Sequence, residues 1–168
     1  MAIPSRSETR ADARPDSRLD TVDTQLLRLL QEDGRISIAR LAEHVGLASA
    51  TVHERIARLK REGVILGYEA VLDPSLASGL LVFAEVRVTT PCIGSALKAA
   101  VRACTDVLEC HEVAGSFDYL IKTRVPDMEG FRRFMTSVVW SLPGVRDVRS
   151  YAVIDEVKNT ARIPVLEA

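Results

Sequence analysis

The chain has 168 residues, 47% hydrophobic and 27% charged, enough to bury one or two compact cores without metals or disulfides. Its 22 Lys and Arg against 23 Asp and Glu leave a net charge of −1, and a pI near 6.3 argues against indiscriminate nucleic-acid binding. No apolar run approaches the ~20 residues of a membrane span and the start is no signal peptide; three cysteines (Cys92, Cys104, Cys110) lack a C-x-x-C pair, so a cytoplasmic protein without a metal site is expected.

In chain order, residues 1–18 alternate in charge and hold two prolines with almost nothing to bury, which predicts a disordered arm. Arg6, Arg10, Arg14 and Arg18 would suit phosphates or a minor groove, but Glu8, Asp12 and Asp16 offset them and favour an inert tail. Leu19, Val22, Leu26, Leu29 and Leu30 then line one face of a helix, started by Asp20 as N-cap and ended near Gly34. Ser37 caps a second helix over Ile38–Val45, and Gly46 falls where a helix ends in the left-handed conformation.

After that turn, Val52, Ile56 and Leu59 recur at helical spacing and can pack on Leu41, Val45 and Leu47. The opposite face carries Ser49, Ala50, Thr51, His53, Glu54, Arg55, Arg58 and Arg61, and a helix-turn-helix lays such a face into the major groove of duplex DNA. Residues 49–62 hold four basic and two acidic side chains, a local surplus of +2. Ser49 and His53, near the helix start, are expected at base edges and Arg58 at phosphate. An ordinary helical hairpin with solvated arginines fits the same spacing. The glycine-punctuated, β-prone run from Gly63 to Val71 favours a winged helix-turn-helix over it.

Beyond a linker over residues 72–79 the pattern changes. Leu80–Val88 reads as a strand, Ile93–Ala103 as a helix, Val107–Ala114 and Phe117–Val125 as strands across a Gly115-Ser116 turn, Met128–Leu142 as a helix and Val145–Val157 as a strand, with a further edge at Arg162–Val165. The order βαββαβ is the ferredoxin-like arrangement, which makes the whole chain α+β: a reader over 19–71 joined to a sheet domain over 80–168. Met128, Phe131, Met135, Val138 and Leu142 mark the sheet-facing side of the last helix. Trp140 projects away from it and is expected at an oligomer interface.

Enzymatic chemistry finds no support. Cys110 and His111 are adjacent on a strand and point to opposite faces, His44 and His53 have no nearby thiol, and no nucleophile elbow, phosphate loop or dinucleotide fingerprint is present.

Three long runs carry a family resemblance over residues 19 to about 160: LDTVDTQLLRLLQEDGRIS, ECHEVAGSFDYLIKTRVPDM and LPGVRDVRSYAVIDEVKNT. The chain resembles the Lrp/AsnC feast-famine regulators. That resemblance implies a winged head, a sheet domain that dimerises and often builds octamers, and regulation by a free amino acid bound between subunits, leucine first among the candidates. Where the family commonly has serine after the G-L of its turn, Ala48 stands here, which shifts the expected cap of the recognition helix to Ser49.

A free amino acid offers a carboxylate, an ammonium and a side chain. Gly115 would allow a tight turn whose backbone N–H groups cradle the carboxylate, and Asp118 would pair with the ammonium. From the residues alone a plain hairpin turn fits as well. The resemblance assigns the effector to Gly115, Ser116, Asp118 and Tyr119, with Met128, Tyr151 and Val153 as an apolar wall. A DNA-free amino-acid-binding subunit, or a regulator responsive to proline or alanine, stays open.

Overall fold

The computed structural model describes residues 19–73, 76, 79–89 and 93–165, so the expected arm and Cys92 lie outside the described residues. The chain divides into two compact units: one runs to Val71 and is rejoined by the chain from Thr160 onward, and the other is Leu72–Asn159.

In the first unit α1 spans Thr21–Glu32, α2 Ile38–Val45 and α3 Ser49–Arg61. Asp20 and Asp23 form a reciprocal capping box, in which each carboxylate accepts the other residue's backbone N–H, so α1 starts at a fixed point. Ser37 caps α2 through the Arg40 N–H at 3.2 Å, and Gly46 ends it at φ 67°, in the left-handed region that glycine enters without penalty. Leu26, Leu41, Ala42, Val52 and Ile56 close the core.

A charged network joins α1 to α3. Asp23 is only 1% exposed and accepts from Arg55 at 2.9 Å and from Arg58 at 2.5 Å, while Arg55 also reaches Asp20 at 2.6 Å. A buried carboxylate is costly to desolvate unless it is paired, so two guanidiniums on successive turns of α3 are drawn to the first turn of α1. The Asp23 backbone N–H, and then Arg55, hold the Asp20 carboxyl below its ordinary range. Its stabilising contribution is complete above about pH 4 and is lost as the pH falls through that lowered value.

The expected wing hairpin is corrected, because no strand forms between α3 and β1 among the described residues. The reason is capping. The N–H groups of Val64 and Ile65 both donate to the Leu59 carbonyl, at 2.9 and 3.1 Å, and that of Gly63 donates to Lys60, so these donors finish α3 and are lost to a ladder. Ile65 packs on the core, and Tyr68 lies under the Lys60 ammonium, 5.0 Å from the ring centroid, and against Gly34.

The second unit is a four-stranded antiparallel sheet in the order β2-β3-β1-β4, with β1 Leu80–Val88, β2 Val107–Glu112, β3 Tyr119–Val125 and β4 Val145–Ala152. Helices α4 (Ile93–Ala103) and α5 (Met128–Phe134) pack on one face, where Ala84, Val86, Leu97, Val101, Ile121, Val125 and Phe134 form the core. This is the expected βαββαβ arrangement. Gly79 approaches β3 so closely that a Cβ there would lie 2.2 Å from the Val125 carbonyl oxygen.

Three expectations fail in this part of the chain, the first being the length of the fourth strand, which ends at Ala152 and does not run to Val157. Residues 162–165 add no edge strand and group with the first unit. The helix expected over Met128–Leu142 is α-helical only to Phe134 and continues as a π-turn over Met135–Val139, which Trp140 closes with an N–H bond to Met135 at 2.8 Å. The buried stripe is Phe131, Phe134, Met135, Val138, Val139 and Leu142, while Met128, in the first turn and ahead of the π-turn, is 63% exposed.

Arg58→Ala removes one of the two guanidiniums on a buried carboxylate and is expected to cost the first unit about 1 to 3 kcal/mol. Urea denaturation measures this, and Arg58→Lys should recover only part of it because an ammonium lacks the planar fork.

Candidate functional site

The candidate reading surface is α3, with Val52, Ile56 and Leu59 buried beneath it. Ser49, Ala50, Thr51, His53, Glu54 and Arg61 are exposed on the outside, and Lys60 joins them. Arg55 and Arg58 are not the free side chains that the helical projection presents: their guanidiniums turn to Asp20 and Asp23 and tie α3 to α1. Sequence reasoning missed Asp23 as the residue that decides this. Its signal was an acidic pair three residues apart at a helix start, opposite an Arg pair three residues apart on α3. The cap of α3 also differs from expectation. Ala48 is the N-cap, at φ −66° and ψ 143°, with no side-chain bond, and Ser49 is the first helical residue and is exposed.

In the second unit the β2–β3 connection, residues 113–118, is tied to the end of β1. Asp118 donates its N–H to the Val86 carbonyl at 3.0 Å, and its carboxylate accepts the Val88 N–H at 2.8 Å. The Arg87 guanidinium donates to the Ser116 carbonyl. Val113 closes the loop by donating to the Asp118 carbonyl at 2.9 Å. Gly115 does not adopt positive φ, and a Cβ there would meet nothing within 4 Å, so the backbone at this point does not require glycine. Beside the loop lies a shallow polar hollow lined by Glu85, Arg87, Ser116, Phe117, Asp147 and Arg149. Glu85 faces Arg149, and Arg87 faces Asp147, across the β1–β4 ladder, so both charge signs meet the surface there.

The remaining effector candidates are not gathered around one point. Tyr119 is 4% exposed within the core on the helix side, its hydroxyl donating to Glu112 at 3.4 Å and its ring 6.0 Å from the Lys98 ammonium. Burial, foremost, pushes its pKa up. Tyr119 also requires Gly94, since a Cβ on that residue would lie 2.3 Å from the phenol oxygen. Tyr151 pairs with Phe83 on the opposite face of the sheet, because residues one apart on a strand point to opposite sides and Ala84 faces the core. Met128 is exposed on α5, and Val153 donates its N–H to Leu81 at 2.8 Å just past β4. The apolar wall expected of Met128, Tyr151 and Val153 is therefore not assembled within one chain, and Tyr119 lies in the core away from the loop's outer side. Trp140 is 49% exposed at the end of the π-turn. Among the described residues, no group of three or more His, Cys, Asp or Glu is placed to hold a metal ion.

Comparison with known proteins matches both units. Residues 19–60 match the AsnC-type helix-turn-helix domain, and residues 81–163 match the Lrp/AsnC ligand binding domain. The chain is 44% identical over 155 residues to the leucine-responsive regulatory protein of Salmonella typhimurium, covering 90% of this chain and 94% of that protein. To the protein of the same name in Escherichia coli K12 it is 43% identical over the same shares. A solved transcriptional regulator of Neisseria meningitidis in complex with L-Met superposes with a TM-score of 0.80 at 33% identity, covering 87% of this chain and 96% of that one. The feast or famine regulatory protein of M. tuberculosis complexed with L-methionine gives 0.79 at 26% identity, over 88% and 99%. The chain belongs to the Lrp/AsnC family of DNA-binding transcriptional regulators, which are not enzymes.

Proposed function

We propose that this regulator reads duplex DNA with the exposed face of α3 and that leucine, bound at the β2–β3 loop between subunits, modulates it. The carrying observation is the pose of α3, where Ser49, Ala50, Thr51, His53, Glu54 and Arg61 stand outward while Arg55 and Arg58 lock the helix to α1. Ser49, Thr51 and His53 near the helix start meet base edges, and Arg61 at its end meets phosphate. Such work places the protein in the cytoplasm.

Leucine is favoured by the leucine-responsive relatives at 43–44% identity. Methionine is the second reading, favoured by the two superposed regulators solved with it. In the leucine reading Asp118 holds the ammonium, and the loop around Gly115 and Ser116 faces the carboxylate. Because Tyr151 and Met128 stand exposed and apart, the apolar wall is completed by a neighbouring subunit. Homodimers built on the sheet unit then assemble further, to an octamer, with Trp140 at the contact.

Replacing Ser49 or His53 by Ala should change the preference among DNA sites, whereas Arg61→Ala should weaken all sites alike and lower the salt slope by roughly one unit. Selection from random duplexes and titration at several salt concentrations read both effects, and unchanged selectivity in the Ser49 and His53 variants would remove α3 from the interface.

Thermal-shift screening of the twenty amino acids should single out leucine, with a gain of about 2.7 kcal/mol at 100 times its Kd. Asp118→Asn keeps an acceptor for the Val88 N–H while removing the charge, so it should cost more than tenfold in effector affinity and leave effector-free DNA binding intact. An unaltered response in that variant would move the site elsewhere.

Light scattering of Trp140→Ala should report a smaller assembly, and unchanged mass would take Trp140 out of the contact.

A further inference from the structure

The outer side of α1 holds an extended segment of its own chain. Gln31 grips one peptide unit with both ends of its amide: Oε1 accepts the Ile163 N–H at 2.7 Å, and Nε2 donates to the Ile163 carbonyl at 3.0 Å. One turn earlier, Arg28 donates to the Val165 carbonyl at 3.4 Å. Residues three apart share a helix face, so the two side chains form a short rail along α1. The segment is shaped to lie on it. The Thr160 hydroxyl accepts the Arg162 N–H at 3.2 Å, a local turn that presents Ile163, and Pro164 has no N–H to offer a neighbouring strand.

The rail does not work by burying apolar surface, since Ile163 is 66% exposed. Its specificity is for backbone in an extended run, and its few solvent-facing hydrogen bonds make it reversible. The chain therefore connects the sheet unit to the helical unit twice, once through Leu72 and once through Thr160. The second is held by Gln31 and Arg28.

We propose that the outer face of α1 is a docking site for residues 160–165 and that this clasp, as a second link between the amino-acid-binding unit and the reader, raises the reader's affinity for DNA. A head tied at two points has less orientational freedom to lose on binding than a head tied at one. The helix so held is the one whose first turn carries Asp20 and Asp23, the residues that set the pose of α3. The proposal rests on the DNA-reading assignment above, but the clasp is measured without DNA.

The test uses the full-length protein and three variants: Gln31→Glu, which keeps the acceptor but sets a carboxylate against the Ile163 carbonyl; Gln31→Ala; and a deletion of residues 160–168. Amide hydrogen exchange at Ile163 should be at least tenfold faster in both Gln31 variants. Affinity for a duplex selected by the wild-type protein from random sequences should fall at least about fivefold in all three, with helical circular dichroism unchanged. Fast wild-type exchange at Ile163, indifferent to Gln31, would overturn the docking site. Accelerated exchange with unaltered or tighter DNA binding would overturn the coupling. Failure of the wild-type protein to select any duplex would count against the DNA-reading assignment and leave the clasp to the exchange result.

Discussion

The Asp23 carboxylate, 1% exposed between two helices, sets the geometry of the reader. A carboxylate in that position needs donors within hydrogen-bond reach, and the guanidiniums that satisfy it come from α3. The same carboxylate accepts the Asp20 N–H and so also fixes where α1 begins. One group therefore decides the start of one helix and the rotation of another. The apolar contacts of Leu26, Leu41, Val52 and Ile56 would tolerate some rolling of α3 about its axis, because hydrophobic burial has no direction. The paired charges have direction and remove that freedom, which is why Ser49 and His53 stand outward together.

A related division of labour is visible in the sheet unit, where β1 pairs with both β3 and β4 and also receives the β2–β3 loop through Val86, Arg87 and Val88. Asp118 is half structural there: one carboxylate oxygen is engaged by the Val88 N–H. A ligand that contacts the loop consequently acts on the end of the central strand, since loop and strand share hydrogen bonds. The charges around the hollow are matched across the β1–β4 ladder, so both signs stand at the surface without net charge building up there.

Local signals in the chain were legible and nonlocal competition was not. Ser37 and Gly46 bound α2 by their own hydrogen bonding and dihedral preference, so Ile38–Val45 could be read from the residues alone. The same holds for β1 and α4, and the strand-helix order was enough for the ferredoxin-like arrangement. Arg55 and Arg58 looked free on a helical projection because their partners lie 32 to 35 residues away, at the start of α1. The wing failed for a different reason. Its β-prone residues were real, but the donors at Gly63, Val64 and Ile65 close α3 first. Tyr119 was a case where alternation with Ile121 pointed inward, and the family resemblance had drawn it to the ligand instead. Nothing local marked Gln31, whose partner is 132 residues distant.

The π-turn at Met135–Val139 follows from fixed ends. Asp127 caps α5 through the Gly130 N–H, and a Cβ on Gly130 would lie 3.0 Å from Pro126, so the helix start cannot slide. At the other end the chain turns through Gly144, at φ 95°, into β4. One residue too many for an α-helix between those anchors has to be absorbed in the middle. The effect is that of an expansion joint: the extra residue is taken up inside the π-turn, so Phe134 before it and Leu142 after it both stay packed against the core. A change of one residue in chain length can thus be taken up here without a change in the fold that carries it.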